Sequence, residues 1–326
     1  MSDDVSVDVL LQQHSVPGMS YARLAGCNVV ETGAAGFADL SVPRAANERT
    51  LFEAASLSKP VFAWLVMSLV EEGLVHLDRP LVDDGFDSAR IVDKERLGKL
   101  TPRLILAHRS GLPNWSGDPR DPDRDTALAF SADPATKHTY SGEAYTLLQS
   151  FVEQKTGVSL QQLFEDRLGH VMPDSVSRRP FASDADTSRG YHSARNGEGE
   201  AVAPFERENA AYSLATTARD YGRFLSMVCS CDGLTKESYR DMLAVQTDEF
   251  ELEEAVTTWR LGWEARTIQG RETVFHTGDN GNYISMALFF LDDGEGYVVF
   301  TNSETGMSFI NPFLRSLRQR QRSAGR

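Results

Sequence analysis

Apolar residues recur at helical spacing between Asp3 and His14 until Val16-Pro17-Gly18 breaks them. Two short β-type runs follow, Met19 to Leu24 and Asn28 to Phe37, joined around Gly26. From Leu57 to Leu74 the pattern predicts a strongly apolar helix, closed by Gly73 and a polar turn over His76 to Asp84. Thr101-Pro102 pairs an N-cap residue with proline at the first helical position, and that helix is expected to end at His108-Arg109-Ser110-Gly111. Further helices are predicted at Tyr145 to Lys155, Leu160 to Leu168 and Ala215 to Met227, with loops at Gly117 to Asp125 and Ser175 to Gly199. After Thr257 the texture turns to β-branched and aromatic runs: Thr258 to Ala265, Thr273 to His276, Tyr283 to Leu291 and Tyr297 to Asn302. Asp292 to Gly296 reads as a hairpin turn, and Ser308 to Arg322 as a closing helix.

Strands at both ends and helices between them predict one sheet built from both ends of the chain. Residues 1–70 and 235–326 would form a sheet-containing α/β domain, with 71–234 inserted as a mainly helical lobe. The 326 residues, 41% hydrophobic and 25% charged, suffice for a large core without a disulfide or metal staple. The net charge of −14 opposes binding to nucleic acid or anionic membrane. The longest apolar stretch, Val61 to Val70, is far short of the roughly 20 residues a membrane span needs. With the acidic start Met1-Ser2-Asp3-Asp4, this leads to the expectation of a soluble, cytoplasmic protein. Cys27, Cys229 and Cys231 are read as unpaired thiols, since the neighbouring pair 229 and 231 has poor geometry for bonding to each other. The seven histidines form no metal-binding spacing, so neither a metal nor another cofactor is expected.

Charge changes the picture most through its scarcest member. Only six of the 33 basic residues are lysines, and one of them closes the segment Ser56-Leu57-Ser58-Lys59. Three residues apart on a helix places Ser56 and Lys59 about 60° apart, on one face. Pro60 fits the first turn, where backbone N–H groups lack partners and can face a developing oxyanion. Serine is a weak nucleophile without a base, and a desolvated lysine can act as one. Ser58, two positions from Ser56, should point elsewhere.

The segment from Leu51 to Leu81 resembles the nucleophile region of the serine β-lactamase and penicillin-binding-protein-like superfamily. The likeness is greatest to the class C branch, which also holds family VIII carboxylesterases and D-aminopeptidases. Leu100 to Trp115 is similar to the family segment ending in His-x-Ser-Gly-Leu, and Tyr140-Ser141-Gly142 with Tyr145 to its second motif. Tyr212 to Phe224 resembles the following helix. His276-Thr277-Gly278 is similar to the Lys-Thr-Gly motif in its His-x-Gly form, and Val298 to Asn302 to the closing core strand. The resemblance implies an α/β (α+β) fold of the β-lactamase/transpeptidase type, with an antiparallel sheet flanked by helices plus a helical lobe. It implies Ser56 as acylated nucleophile, Lys59 as its base and Tyr140 as a phenol relaying protons. His276 would line the cleft, Gly278 would belong to the binding strand, and the N–H groups of Ser56 and Asp279 would form the oxyanion hole.

Two departures shape the functional expectation. The family's Tyr-x-Asn is Tyr140-Ser141-Gly142 here, and the position after His-Thr-Gly, commonly small, is Asp279. A carboxylate there would repel the carboxylates of β-lactams and peptide C-termini. The expected substrate is therefore a small-molecule ester or amide, cleaved by a serine hydrolase through an acyl-enzyme. The alternatives are a transacylase handing the acyl group to an amine or alcohol, a true β-lactamase or D,D-peptidase, and a catalytically silent binding relative. The acidic run Asp248 to Glu254 reads as a solvated loop or helix start. The arginines from Arg315 to Arg326 read as a basic tail suited to a helix C-terminus.

Overall fold

In the computed structural model the described residues are 6–324, apart from 120, 122–125, 178–185, 193–199, 202–206 and 253–254. The loop expected over Ser175 to Gly199 lies largely outside them, as does Arg326. The chain opens with helix α1 (Val7–Gln13), capped by the Ser6 side chain, and the hairpin β1 (Gly18–Ala25) and β2 (Asn28–Asp39). The short strands β3 (Arg44–Ala45) and β4 (Phe52–Glu53) lead to one 3₁₀ turn, Ala55–Leu57, and helix α2 (Ser58–Glu71). Helices α3 (Lys94–Leu97), α4 (Pro102–Leu106), α5 (Gly142–Thr156) and α6 (Leu160–Leu168) build the middle of the chain. The two-residue strands β5 (Tyr191–His192), β6 (Glu200–Ala201) and β7 (Ala215–Thr216) precede α7 (Ala218–Cys229) and α8 (Lys236–Met242). The rest is β8 (Phe250–Leu252), β9 (Ala255–Trp259), β10 (Glu264–Ile268), β11 (Arg271–Asp279), β12 (Ile284–Phe290), β13 (Gly296–Thr301) and α9 (Gly306–Ala324).

Nine strands form one sheet in the order β3-β2-β1-β13-β12-β11-β10-β9-β8, with β1 closing antiparallel onto β13. Both ends of the chain thus meet in its centre, as the strand pattern predicts. Alternate residues feed two cores, because successive strand side chains point to opposite faces. Met286, Leu288, Phe290 and Val299 face α1 and α9 through Leu10, Phe309 and Phe313. Ala287, Phe289, Val298 and Phe300 face the larger core with α2 and α7. Helix α7 packs on β1, β2 and β13, so the sheet's covering draws on a segment expected to sit in the inserted lobe.

Helix α2 is the axis of that larger core: every residue from Ser58 to Leu69 is buried. A helix apolar all round belongs in an interior rather than on a surface, and Lys59 is carried inside with it.

Three expectations are corrected. The strand predicted over Thr258 to Ala265 is two strands, β9 and β10, with a turn between them in which the Arg260 N–H donates to the Trp263 carbonyl at 2.7 Å. The acidic run contains an edge strand, β8, paired with β9; the run's polar composition pointed to a loop, whereas strand pairing is made by the backbone and asks little of composition. Most consequentially, Cys27 and Cys229 form a disulfide across 202 residues, tying the β1–β2 turn to the last residue of α7. The cysteine reading failed because pairing was judged from neighbours in sequence, whereas the α7–sheet packing brings distant residues together. A bond closing so long a loop stabilises by about 2–4 kcal/mol. Such bonds persist in oxidising compartments, which weighs against the cytoplasmic setting. Cys231 remains free and exposed. Among the described residues no helix is long and apolar enough to cross a membrane.

Candidate active site

Ser56 stands in the 3₁₀ turn at the head of α2, where chain direction changes abruptly. Ala55 adopts φ +51°, a left-handed conformation costly for a residue with a Cβ. The turn is held from several sides. Ser58 Oγ donates to the Ala55 carbonyl at 2.7 Å and accepts from the Leu214 N–H at 3.0 Å, while Ser285 Oγ donates to the Ala54 carbonyl at 2.7 Å. Ser58 therefore belongs to the scaffold and points away from the cleft, as its position predicts. Tyr221 on α7 donates its phenol to the Leu57 carbonyl at 2.9 Å and fixes the turn from behind.

One helical step further on, Lys59 Nζ lies 3.0 Å from Ser56 Oγ and donates to the Ala211 carbonyl at 2.9 Å. Lys59 is only 1% exposed. Burial alone lowers its pKa from the ordinary lysine value to about 7, so near neutrality much of it is an uncharged amine. In that state one N–H still serves Ala211, and the lone pair can accept the Ser56 hydroxyl proton. The aromatic faces of Tyr140 and Tyr145 lie 4.7 and 5.6 Å from Nζ, where they ease the ammonium form once the proton arrives.

Tyr140 precedes α5, and Ser141 is that helix's N-cap, accepting from the Ala144 N–H at 2.9 Å. Its hydroxyl is hydrogen-bonded to Ser56, and its ring stacks on His108 at 4.2 Å. His108 accepts the Ser141 N–H on Nδ1 at 3.0 Å, which fixes both the imidazole and the backbone carrying Tyr140. Burial raises the Tyr140 pKa well above the ordinary phenol value, with the Glu264 charge adding to the rise. The phenol thus stays protonated across the working pH range and can pass a proton along.

The opposite wall is β11. Strand alternation turns Phe275 into the α1–α9 core and His276 into the cleft. His276 Nδ1 lies 2.6 Å from the Thr277 carbonyl, so Nδ1 carries the proton and Nε2 keeps its lone pair. Burial pushes its pKa down to about 3, and the neighbouring Lys59 adds to this, so it is neutral at physiological pH. Gly278 is demanded by packing: a Cβ there would lie 2.4 Å from the Ala54 carbonyl oxygen. Bare backbone lets β11 press against the Ser56 turn. The Asn280 N–H donates to the Tyr283 carbonyl at 3.1 Å, and antiparallel alternation then turns the Asp279 N–H away from β12, on the open side of β11. The Asp279 carboxylate is exposed on the cleft wall and accepts the Gly281 N–H at 2.6 Å.

The open cleft between these walls has a volume of about 730 Å³ and is lined by Ser56, Tyr140, His276 and Asp279 and by residues the sequence did not mark. Among these are Asn114, His138, Trp259 and Glu264. Trp115, quoted only as the end of a motif, also lines it and explains Gly142. A Cβ at position 142 would lie 2.2 Å from the Trp115 ring, so indole occupies the space where a side chain would stand. An aromatic residue just after Gly111-Leu112-Pro113 was the available signal for that wall. Among the described residues no cluster of metal-ligating side chains is present.

Comparison with known proteins identifies the family and the fold. The curated penicillin-binding protein 4 of Amycolatopsis lactamdurans is 25% identical, aligned over 95% of this chain and 87% of that protein. A β-lactamase of Pseudomonas fluorescens is 25% identical over 80% of this chain and 73% of its own length. The crystal structure of a penicillin-binding protein from Bacillus halodurans superposes with a TM-score of 0.79 at 19% identity, covering 96% and 99% of the two chains. The Beta-lactamase family model matches residues 6–316, and the chain belongs to that family of serine β-lactamases and penicillin-binding-protein-like enzymes.

Proposed function

We propose that this protein is a serine hydrolase that cleaves an ester or amide of a small molecule through an acyl-enzyme on Ser56. The observation that carries the reading is the wholly buried Lys59, its Nζ 3.0 Å from Ser56 Oγ and its pKa lowered by burial to about 7. Neutral Lys59 takes the hydroxyl proton as Ser56 attacks the carbonyl, and the N–H groups of Ser56 and Asp279 receive the developing oxyanion. Tyr140 relays a proton to the leaving group and then from the attacking water, and the amine of Lys59 is restored at the end of the cycle. His276, neutral and with Nε2 unprotonated, offers an acceptor where the related motif has lysine.

Relatives carry the names penicillin-binding protein and β-lactamase. Asp279 on the cleft wall and the absence of a side chain at Gly142 favour esters and neutral amides over carboxylate-bearing β-lactams. A transacylase shares the first half-reaction, and a cavity of about 730 Å³ has room for an acceptor beside the acyl group. Intact-mass measurement after a fluorophosphonate probe, with turnover of p-nitrophenyl esters and nitrocefin, tests the reading. One adduct on the wild type, none on Ser56→Ala, and ester turnover exceeding nitrocefin turnover are expected. An adduct on Ser56→Ala would remove Ser56 from its role; nitrocefin turned over faster than esters would move the substrate to β-lactams.

A further inference from the structure

His276 and Trp259 both line the cleft and meet edge-on, their ring centroids 5.7 Å apart. Both are buried, His276 at 1% exposure and Trp259 completely. Each keeps one ring nitrogen that bonds to nothing among the described residues. On His276 that atom is Nε2. A carbonyl oxygen only accepts, so the 2.6 Å contact with the Thr277 carbonyl assigns the proton to Nδ1 and leaves a lone pair on Nε2. On Trp259 it is Nε1, whose N–H only donates. Trp263 has an unpaired indole N–H as well, but that ring stacks on Phe224 in the core and does not line the cleft. A buried polar atom left unpaired is costly, so an acceptor and a donor side by side on a cleft wall call for a partner. One atom that both donates and accepts satisfies the two together, and a hydroxyl oxygen is such an atom. A carboxylate only accepts and an ammonium only donates, so neither serves both nitrogens. The pair also borders the proton relay: the Tyr140 ring lies 5.7 Å from Trp259 and 6.4 Å from His276. The Tyr140 hydroxyl is itself bonded to Ser56. Since Tyr140 hands its proton to the departing oxygen, the pair stands on the leaving-group side of the scissile bond.

We infer that His276 Nε2 and the Trp259 indole N–H together bind a free hydroxyl on the leaving group, which makes partial esters of diols and other polyols the preferred substrates. This deepens the proposed acyl-enzyme chemistry and rests on it. The hydroxyl donates to Nε2 and accepts from Nε1–H. An ether oxygen at the same place can still accept from Trp259 but confronts the imidazole with a second lone pair.

The test compares two butyrate esters, 2-hydroxyethyl and 2-methoxyethyl, whose leaving alcohols are similar in acidity and differ in the hydroxyl. Butyrate release gives kcat/KM for each, and the readout is the hydroxyethyl-to-methoxyethyl ratio. On wild type a ratio on the order of tenfold is expected, the value of one well-placed hydrogen bond. His276→Phe removes the acceptor, and Trp259→Phe removes the donor while keeping an aromatic ring. The ratio should fall toward one in His276→Phe and fall at least threefold in Trp259→Phe. Because each ratio is taken within one variant, a general loss of activity or stability does not move it. If His276→Phe is too slow to measure, Trp259→Phe decides alone. A wild-type ratio near one, or a ratio unchanged in either measurable variant, overturns the inference and leaves the two nitrogens to a bound water. If neither ester is cleaved and a fluorophosphonate probe does not label Ser56, the hydrolase reading fails together with this inference. If both esters are cleaved at equal rates and Ser56→Ala abolishes the reaction, only this inference fails.

Discussion

The two walls of the cleft are built by opposite strategies. Lys59 stands on a buried apolar helix and Ser56 on the 3₁₀ turn that leads into it, with a sheet pressed against the turn, and of the two only the serine faces water. Asn114, Trp115 and Asp279 stand on loop and strand ends that are partly or wholly exposed, held by hydrogen bonds to backbone. A dry wall shifts a lysine pKa by several units because the charge has no water to stabilise it; a wet wall cannot. Reactivity therefore belongs to the buried side and discrimination by charge to the exposed side, and substitutions on the two sides should differ in kind as well as size.

The largest effect is expected on the dry side. Lys59→Ala removes the base while Ser56 stays in place, and ester turnover should fall by about 10²–10⁴-fold; steady-state kinetics with p-nitrophenyl acetate measures it. Gly142→Ala strikes the boundary between the walls. Its Cβ forces Trp115 to move, at a cost of about 1–3 kcal/mol from overpacking, read as a lowered denaturation midpoint and altered acyl-chain preference. The smallest effect is at the exposed acid. Asp279→Asn should raise kcat/KM for a carboxylate-bearing ester about two- to fivefold relative to its neutral analogue, the scale of a solvent-screened charge. Added salt should shrink that difference. An effect of Asp279→Asn as large as that of Lys59→Ala would erase the distinction between the walls.

The two walls also differed in how well the sequence revealed them. Ser56, in the 3₁₀ turn, and Lys59, in the first turn of α2, are three residues apart on continuous helical backbone, so local spacing alone predicted their contact. The resemblance added Tyr140, His276, Gly278 and Asp279, which the fold brings together from the segment just before α5 and from β11. Asn114 was missed, and the role of Trp115 was not seen, because their positions depend on contacts with α5 that no local pattern encodes. The Gly142 departure was visible in sequence, but its cause, an indole from 27 residues upstream, was not. The same limit hid the Cys27–Cys229 bond: periodicity gives α7 and the β1–β2 hairpin separately, and only tertiary packing joins them. The sheet was more legible, since β-branched alternation at both ends of the chain reports its two faces directly.

The most direct test of a buried neutral lysine as the base for Ser56 is the pH dependence of single-turnover acylation. Intact mass or p-nitrophenol release would be followed from pH 5 to 9. Only the uncharged amine accepts the serine proton, and burial lowers its pKa, so the acylation rate should rise with pH through one ionisation centred near 7. In Lys59→Ala that rise should vanish along with most of the rate. An acylation rate flat across this range in the wild type, or the same rise surviving in Lys59→Ala, would contradict the account.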